Sequence, residues 1–182
     1  MPVFGLLLLA PLGACKPTPD ATPTPVSVPV LEAPSCGENG TLTGSIVGGI
    51  ETTVSWAAHE MTCESMPRPN GEGIRLRLAG DVGSERLAII LAIPALTAGA
   101  SGVEVPSNVT ATVEGSGRFF STPGLESCWT EIHAQTALPD QDGRYAADAT
   151  LFCIAPLGEI NGDAAVTIPE LSFSTIINWK KQ

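Results

Sequence analysis

The chain is poor in positive charge, in aromatic rings and in histidine, and each shortage removes a class of function. Nine Lys and Arg stand against nineteen Asp and Glu, a formal charge of −10. The clustered cations that phosphate recognition requires are missing, which disfavours a nucleic-acid binder, so no nucleic-acid partner is expected. There are two histidines, His59 and His133, with no G-x-S-x-G elbow and no H-E-x-x-H pair. No recognisable nucleophile or zinc machinery follows from them. Aromatic residues are 5% and charged residues 15% of the chain, and no segment repeats Ala, Leu, Glu and Lys at helical spacing, which argues against a bundle. No apolar run approaches the ~20 residues that a bilayer-spanning helix needs. Abundant instead are glycine and proline, 19 and 16 residues in a chain that is 43% hydrophobic. That balance belongs to an ordered all-β module with many turns.

Met1 to Ala14 carries no charged side chain, and Val3 to Leu12 is an apolar run centred on Leu6, Leu7, Leu8 and Leu9. It has the length and character of the apolar region of an export signal. Leu12, Gly13, Ala14 and Cys15 come next. This run resembles the lipobox of bacterial lipoprotein precursors: a leucine, two small residues, and the cysteine that receives the lipid. The small residues fit a peptidase site, and a thiolate is nucleophilic enough to take up a diacylglyceryl group. The resemblance implies an export signal over residues 1–14, cleavage before Cys15, lipidation of Cys15, and a membrane as the partner of the mature N-terminus. Lys16 stands where an Asp would favour retention in the inner membrane, so the resemblance implies the outer membrane of a Gram-negative envelope. Such signals open on Lys or Arg, and Met1-Pro2 has neither, so a start upstream of Met1 is expected. The competing reading is that Leu12 to Cys15 only closes a hydrophobic stretch and Cys15 pairs elsewhere.

Residues 15–35 change composition to Pro, Thr, Ala and Val, as in Pro17-Thr18-Pro19 and Thr22-Pro23-Thr24-Pro25. Proline fixes φ and donates nothing to a sheet, so this stretch is expected to be an extended tether with polyproline character. At ~3.1 Å per residue it would hold a domain up to about 60 Å from a membrane.

Residues 36–182 are expected to form one globular β-domain, an antiparallel β-sandwich or small barrel of about nine strands. Ile74, Leu76 and Leu78 alternate with Arg75 and Arg77, and Val109, Ala111 and Val113 alternate again, as do Leu171, Phe173 and Thr175. Leu87 to Ile93 is apolar almost throughout, the pattern of a central strand covered on both sides. The other expected strands are Leu42 to Val47, Val54 to His59, Cys128 to Gln135, Tyr145 to Ile154 and Ala164 to Ile168. No helix and no repeat is expected.

Five cysteines leave an even set once Cys15 is assigned to lipid: Cys36, Cys63, Cys128 and Cys153. Pro139-Asp140-Gln141-Asp142-Gly143 is a strong turn signal. A hairpin folded about Asp140 and Gln141 sets Cys128 against Cys153, Thr130 against Leu151, Ile132 against Ala149 and Ala134 against Ala147. Trp129 then meets Phe152 on the other face. A one-residue slip would turn every one of these side chains over, so the coherence argues for this register. Gly48-Gly49-Ile50-Glu51 lies midway between Cys36 and Cys63, a second hairpin with a bulge or extra loop and a second disulfide. A four-thiolate metal site is disfavoured because no two cysteines have chelate spacing, and disulfides point to an oxidising compartment.

The same hairpin register puts His133 opposite Asp148. An oriented base is one reading of that pair, and a cross-strand surface contact is the better one in the absence of a nucleophile. Asp140, Asp142 and Asp163 lack the spacing of a calcium loop, so turn formation accounts for them. Trp56, Trp129, Trp179, Phe119 and Phe120 could make a sugar-stacking platform, but such scattered rings more often pack. The expected protein is therefore a non-enzymatic, membrane-anchored envelope or surface lipoprotein without cofactor, metal or catalytic residue, meeting envelope protein or cell-wall partners through its acidic surface. The alternative is a small-ligand or carbohydrate-binding lipoprotein, and an envelope hydrolase is the weaker one.

Overall fold

Alternating side chains carry the domain into eleven antiparallel strands, joined in one hydrogen-bonded sheet. The structure, a computed structural model, describes residues 36–70 and 72–180. The expected export signal, Cys15 and the tether lie outside the described residues. The strands are β1 (Thr41–Gly48), β2 (Thr52–Ala57), β3 (Met61–Pro67), β4 (Ile74–Val82), β5 (Glu85–Ile93) and β6 (Val103–Glu114). They continue with β7 (Arg118–Ser121), β8 (Cys128–Ala137), β9 (Arg144–Cys153), β10 (Leu157–Glu159) and β11 (Ala165–Asn178). A single 3-10 turn, Leu125–Ser127, is the helical element among the described residues.

The all-β expectation holds, and the count differs from nine for reasons that can be named. The segments expected around Ala164 and Leu171 are one strand, β11, which passes Pro169 through a bulge: Ser45 faces Glu170 and Val47 faces Thr167, so Ile168 and Pro169 together oppose Ile46. A bulge spares proline the ladder bond it cannot donate. Three strands carried too little pattern to be read. β7 and β10 have four and three residues, and β3 buries only Met61 and Cys63. His59, expected at the end of a strand, lies in the turn after β2.

The sheet runs β2-β1-β11 at one end and β6-β5-β4-β3 at the other. Two pairs bridge the middle between β11 and β6: β9 with β8, and β10 with β7. Inward side chains from all parts form one core that includes Leu42, Ile46, Leu76, Leu78, Ile89, Leu91, Val109, Phe120, Leu151, Leu171 and Ile177. β5 is central, as expected, but what covers its outward side is a long side chain. Arg77 on β4 bonds both Glu64 on β3 and Glu114 on β6, so it crosses over β5 where Ile90 is half-buried and Ala88 fully buried.

β2 and β3 are the two ends of the strand order, yet residues 58–60 alone separate them in the chain. The sheet curls until these ends approach. Trp56 on β2 lies over Gly80 on β4 and donates from Nε1 to the Asp81 carbonyl at 3.2 Å. The Asn178 backbone N–H at the end of β11 donates to Ser65 Oγ on β3 at 2.7 Å.

Both expected disulfides form, Cys128–Cys153 and Cys36–Cys63. The first joins directly opposed residues of the β8–β9 hairpin. The second has a different basis from the one expected. In the β1–β2 hairpin Thr41 faces Ala57 and Ile46 faces Thr52, and the chain leaves that pairing before Cys63, which sits on β3 opposite Leu78. Cys36–Cys63 therefore staples the residues before β1 to the far edge of the sheet.

Candidate functional site

The β8–β9 hairpin follows the expected register from Cys128 to Ile132 and then departs from it. Ile132 faces Ala149, but Ala134 faces Asp148 and Gln135 faces Ala147. His133 is the extra residue of a β-bulge. The expected pairings of Ala134 with Ala147 and of His133 with Asp148 are thereby corrected. His133 Nε2 meets Thr150 Oγ1 at 2.9 Å and Nδ1 lies 3.6 Å from Glu131 Oε1. Asp148 instead accepts from Ser174 Oγ at 2.6 Å. The carboxylate, imidazole and hydroxyl stand in the order of a hydrolytic triad, but on the water-exposed face of the sheet, and neither groove described below includes His133 or Thr150. A base needs a bound substrate and an oxyanion stabiliser beside it. The geometry here is that of cross-strand hydrogen bonding.

The bulge has a second effect. Ile132 and Gln135, three apart, both point inward, where uninterrupted alternation would have put Ala134 inside and Gln135 in water. The buried Gln135 amide donates to the carbonyls of Thr97 and Ala100 at 3.0 and 2.8 Å, and its oxygen accepts from Trp179 Nε1 at 3.1 Å. One side chain thus ties the β5–β6 loop to the residue that follows β11. Between them lies a groove of about 690 Å³ lined by Pro94, Leu96, Thr97, Leu125, Trp179 and, at the β3–β4 turn, Glu72. It is an open groove at the loop end of the curled sheet, with a mainly apolar lining. Trp179 was expected among the packing aromatics; nothing in its own segment indicates the groove, because its partners lie far away in the chain.

The aromatic residues do not converge on one platform. Trp56 and Phe120 are buried, Trp129 pairs across strands with Phe152, and Phe119 is exposed on β7. A second groove, of about 520 Å³, lies between residues 36–40 and the β9–β11 pair, with Glu38, Arg144 and Asp148 among its lining. It mixes charges of both signs, and Arg144 already donates to Gln141 Oε1 at 2.7 Å.

Arg118 organises a separate cluster. Its Nε donates to Glu159 Oε1 at 2.7 Å, its Nη1 to the Gly49 carbonyl at 2.9 Å, and its guanidinium lies 4.9 Å from the Phe120 ring centre. The hydrogen bond from Arg118 holds the Glu159 carboxyl below its ordinary value, and the same bond raises Arg118. Asp142 in the β8–β9 turn is lowered by its hydrogen bond with Lys180 at 2.8 Å. No cluster of three or more His, Cys, Asp or Glu with metal-ligand geometry occurs among the described residues. Compared with known proteins, the chain matches no family model, no curated protein and no solved structure.

Proposed function

We propose that this protein is an extracytoplasmic lipoprotein, anchored to a membrane of the cell envelope through lipid on Cys15, whose β-domain acts as a non-enzymatic binding or structural module. The observation that carries the reading is the pair of disulfides, Cys36–Cys63 and Cys128–Cys153. Such bridges persist where the compartment is oxidising and are rare in the cytosol. Leu12-Gly13-Ala14-Cys15 supplies the route to that compartment, and Lys16 favours the outer membrane where the envelope is Gram-negative. Twenty residues, 16–35, separate the lipid from the domain, in a composition suited to a spacer. The partner is an envelope protein, a cell-wall component or a small ligand, met outside the cytoplasm. The groove at Trp179 favours the small ligand.

Metabolic labelling with a radioactive fatty acid tests the anchor. The wild-type chain takes up label and fractionates with membranes, whereas Cys15→Ser is unlabelled and retains its N-terminal segment. Wild-type protein recovered unlabelled, soluble and still carrying Met1 would refute the reading.

A further inference from the structure

We infer that the groove at Trp179 binds a small organic cation, an ammonium bearing apolar groups. The inference deepens the binding-module reading and rests on it, but it does not depend on the lipid anchor. Pro94, Leu96 and Leu125 give the groove apolar walls, and the Trp179 indole gives it an aromatic one. Of the lining residues Glu72 alone is charged, its side chain is exposed, and no ion pair joins it among the described residues. Trp179 Nε1–H is already donated to Gln135, so the indole has no donor left for a ligand. The Thr97 carbonyl is occupied by the same amide.

Among the described residues the groove therefore offers an aromatic ring, one carboxylate outside any ion pair and apolar surface. Among the described lining residues no cation stands to neutralise an anion. An ammonium with apolar substituents satisfies each feature, since aromatic rings and carboxylates both attract cations while the walls accept the substituents. The formal charge of −10 concentrates cations near the surface and repels anions.

The site is also held in shape before any ligand arrives. Gln135 is 8% exposed and spends both amide hydrogens and its oxygen on the two walls. The bulge at His133 is what turns it inward. Bulges beside binding sites serve this purpose of aiming a side chain, and walls fixed in advance lose little freedom on binding.

The test is a titration of the purified full chain, with its tryptophan indoles labelled by nitrogen-15, against benzyltrimethylammonium, benzyl alcohol and benzoate at matched ionic strength. Trp179→Phe identifies the Trp179 signal. The ammonium should shift that signal saturably, benzyl alcohol should act more weakly and benzoate should not act. Glu72→Gln, a change at an exposed side chain that leaves the fold intact, should weaken ammonium binding about three- to tenfold. Gln135→Leu should weaken it as well; if that variant does not fold, Glu72→Gln decides alone. The inference is overturned if the Trp179 signal does not respond at millimolar ammonium, if benzoate binds as well, or if Glu72→Gln leaves affinity unchanged. Absence of lipid on Cys15 would leave this titration standing, and a failed titration would leave the anchor standing.

Discussion

Glu159 is a carboxylate whose ionisation is tied to the fold through Arg118. It is 15% exposed, and Arg118 joins it to the β1–β2 turn through the Gly49 carbonyl. A carboxyl held below its ordinary value in the folded chain binds its proton less readily there than when unfolded, so folding is favoured while the group is ionised. That contribution is present above the ordinary carboxyl value of 4.5 and is lost as pH falls through the depressed folded value. Arg118 stays charged throughout this range and adds no pH dependence. Glu159→Gln should therefore lower the thermal midpoint at pH 7, with the gap to wild type closing as the pH is taken below 4. A gap that persists unchanged at low pH would show that Glu159 acts through packing and not through its charge.

Among the elements, the β8–β9 hairpin shows how far a local pattern reaches. The turn from Pro139 to Gly143 is built as its residues suggest, with Asp140 and Gly143 at φ 58° and 76° and with Arg144 N–H donating to the Gln141 carbonyl. Asp and Gly are the residues that tolerate such angles. The turn and the alternation together set Cys128 against Cys153, and the disulfide then locks the far end of the hairpin. The two cysteines are 25 residues apart, and a closure of that length stabilises by about 2–4 kcal/mol, chiefly by restricting the unfolded chain. Urea unfolding of a Cys128→Ala, Cys153→Ala double variant should lose that amount. A midpoint within error of wild type would mean that strand pairing alone holds the hairpin. The bulge at His133 interrupts the same pattern, and Ile132-His133-Ala134-Gln135 contains no glycine or proline to announce it.

At the scale of the whole molecule, stability depends on the seam where β2 meets β3 and β4. Four contacts hold the closure: the Cys36–Cys63 bridge, the bond between Ser65 and the end of β11, the packing of Trp56 on Gly80 and the Trp56 bond to the Asp81 carbonyl. A Cβ at Gly80 would stand 2.6 Å from the Trp56 ring, inside any tolerable contact. Gly80→Ala should displace the indole and cost about 1–3 kcal/mol, as overpacking in a filled core does. Denaturant unfolding measures the loss, and an unchanged midpoint would show that the seam does not need Trp56 where it is. Read without its structure, the chain yields the fold class, most of the long strands and the Cys128–Cys153 pairing, whereas Cys36 and Cys63 were matched through a hairpin register that does not form. The first three follow from period-2 alternation and turn chemistry, which act between neighbours in the chain. It also determined that Arg75 and Arg77 lie on the outward side of β4, opposite in facing to Leu76 and Leu78. The bulge at His133, the closure by Cys36–Cys63 and the link from Gln135 to Thr97, Ala100 and Trp179 come from the folded chain. These features need residues from separate strands to meet at hydrogen-bond distance, and no local pattern specifies which distant groups a curled sheet will bring together.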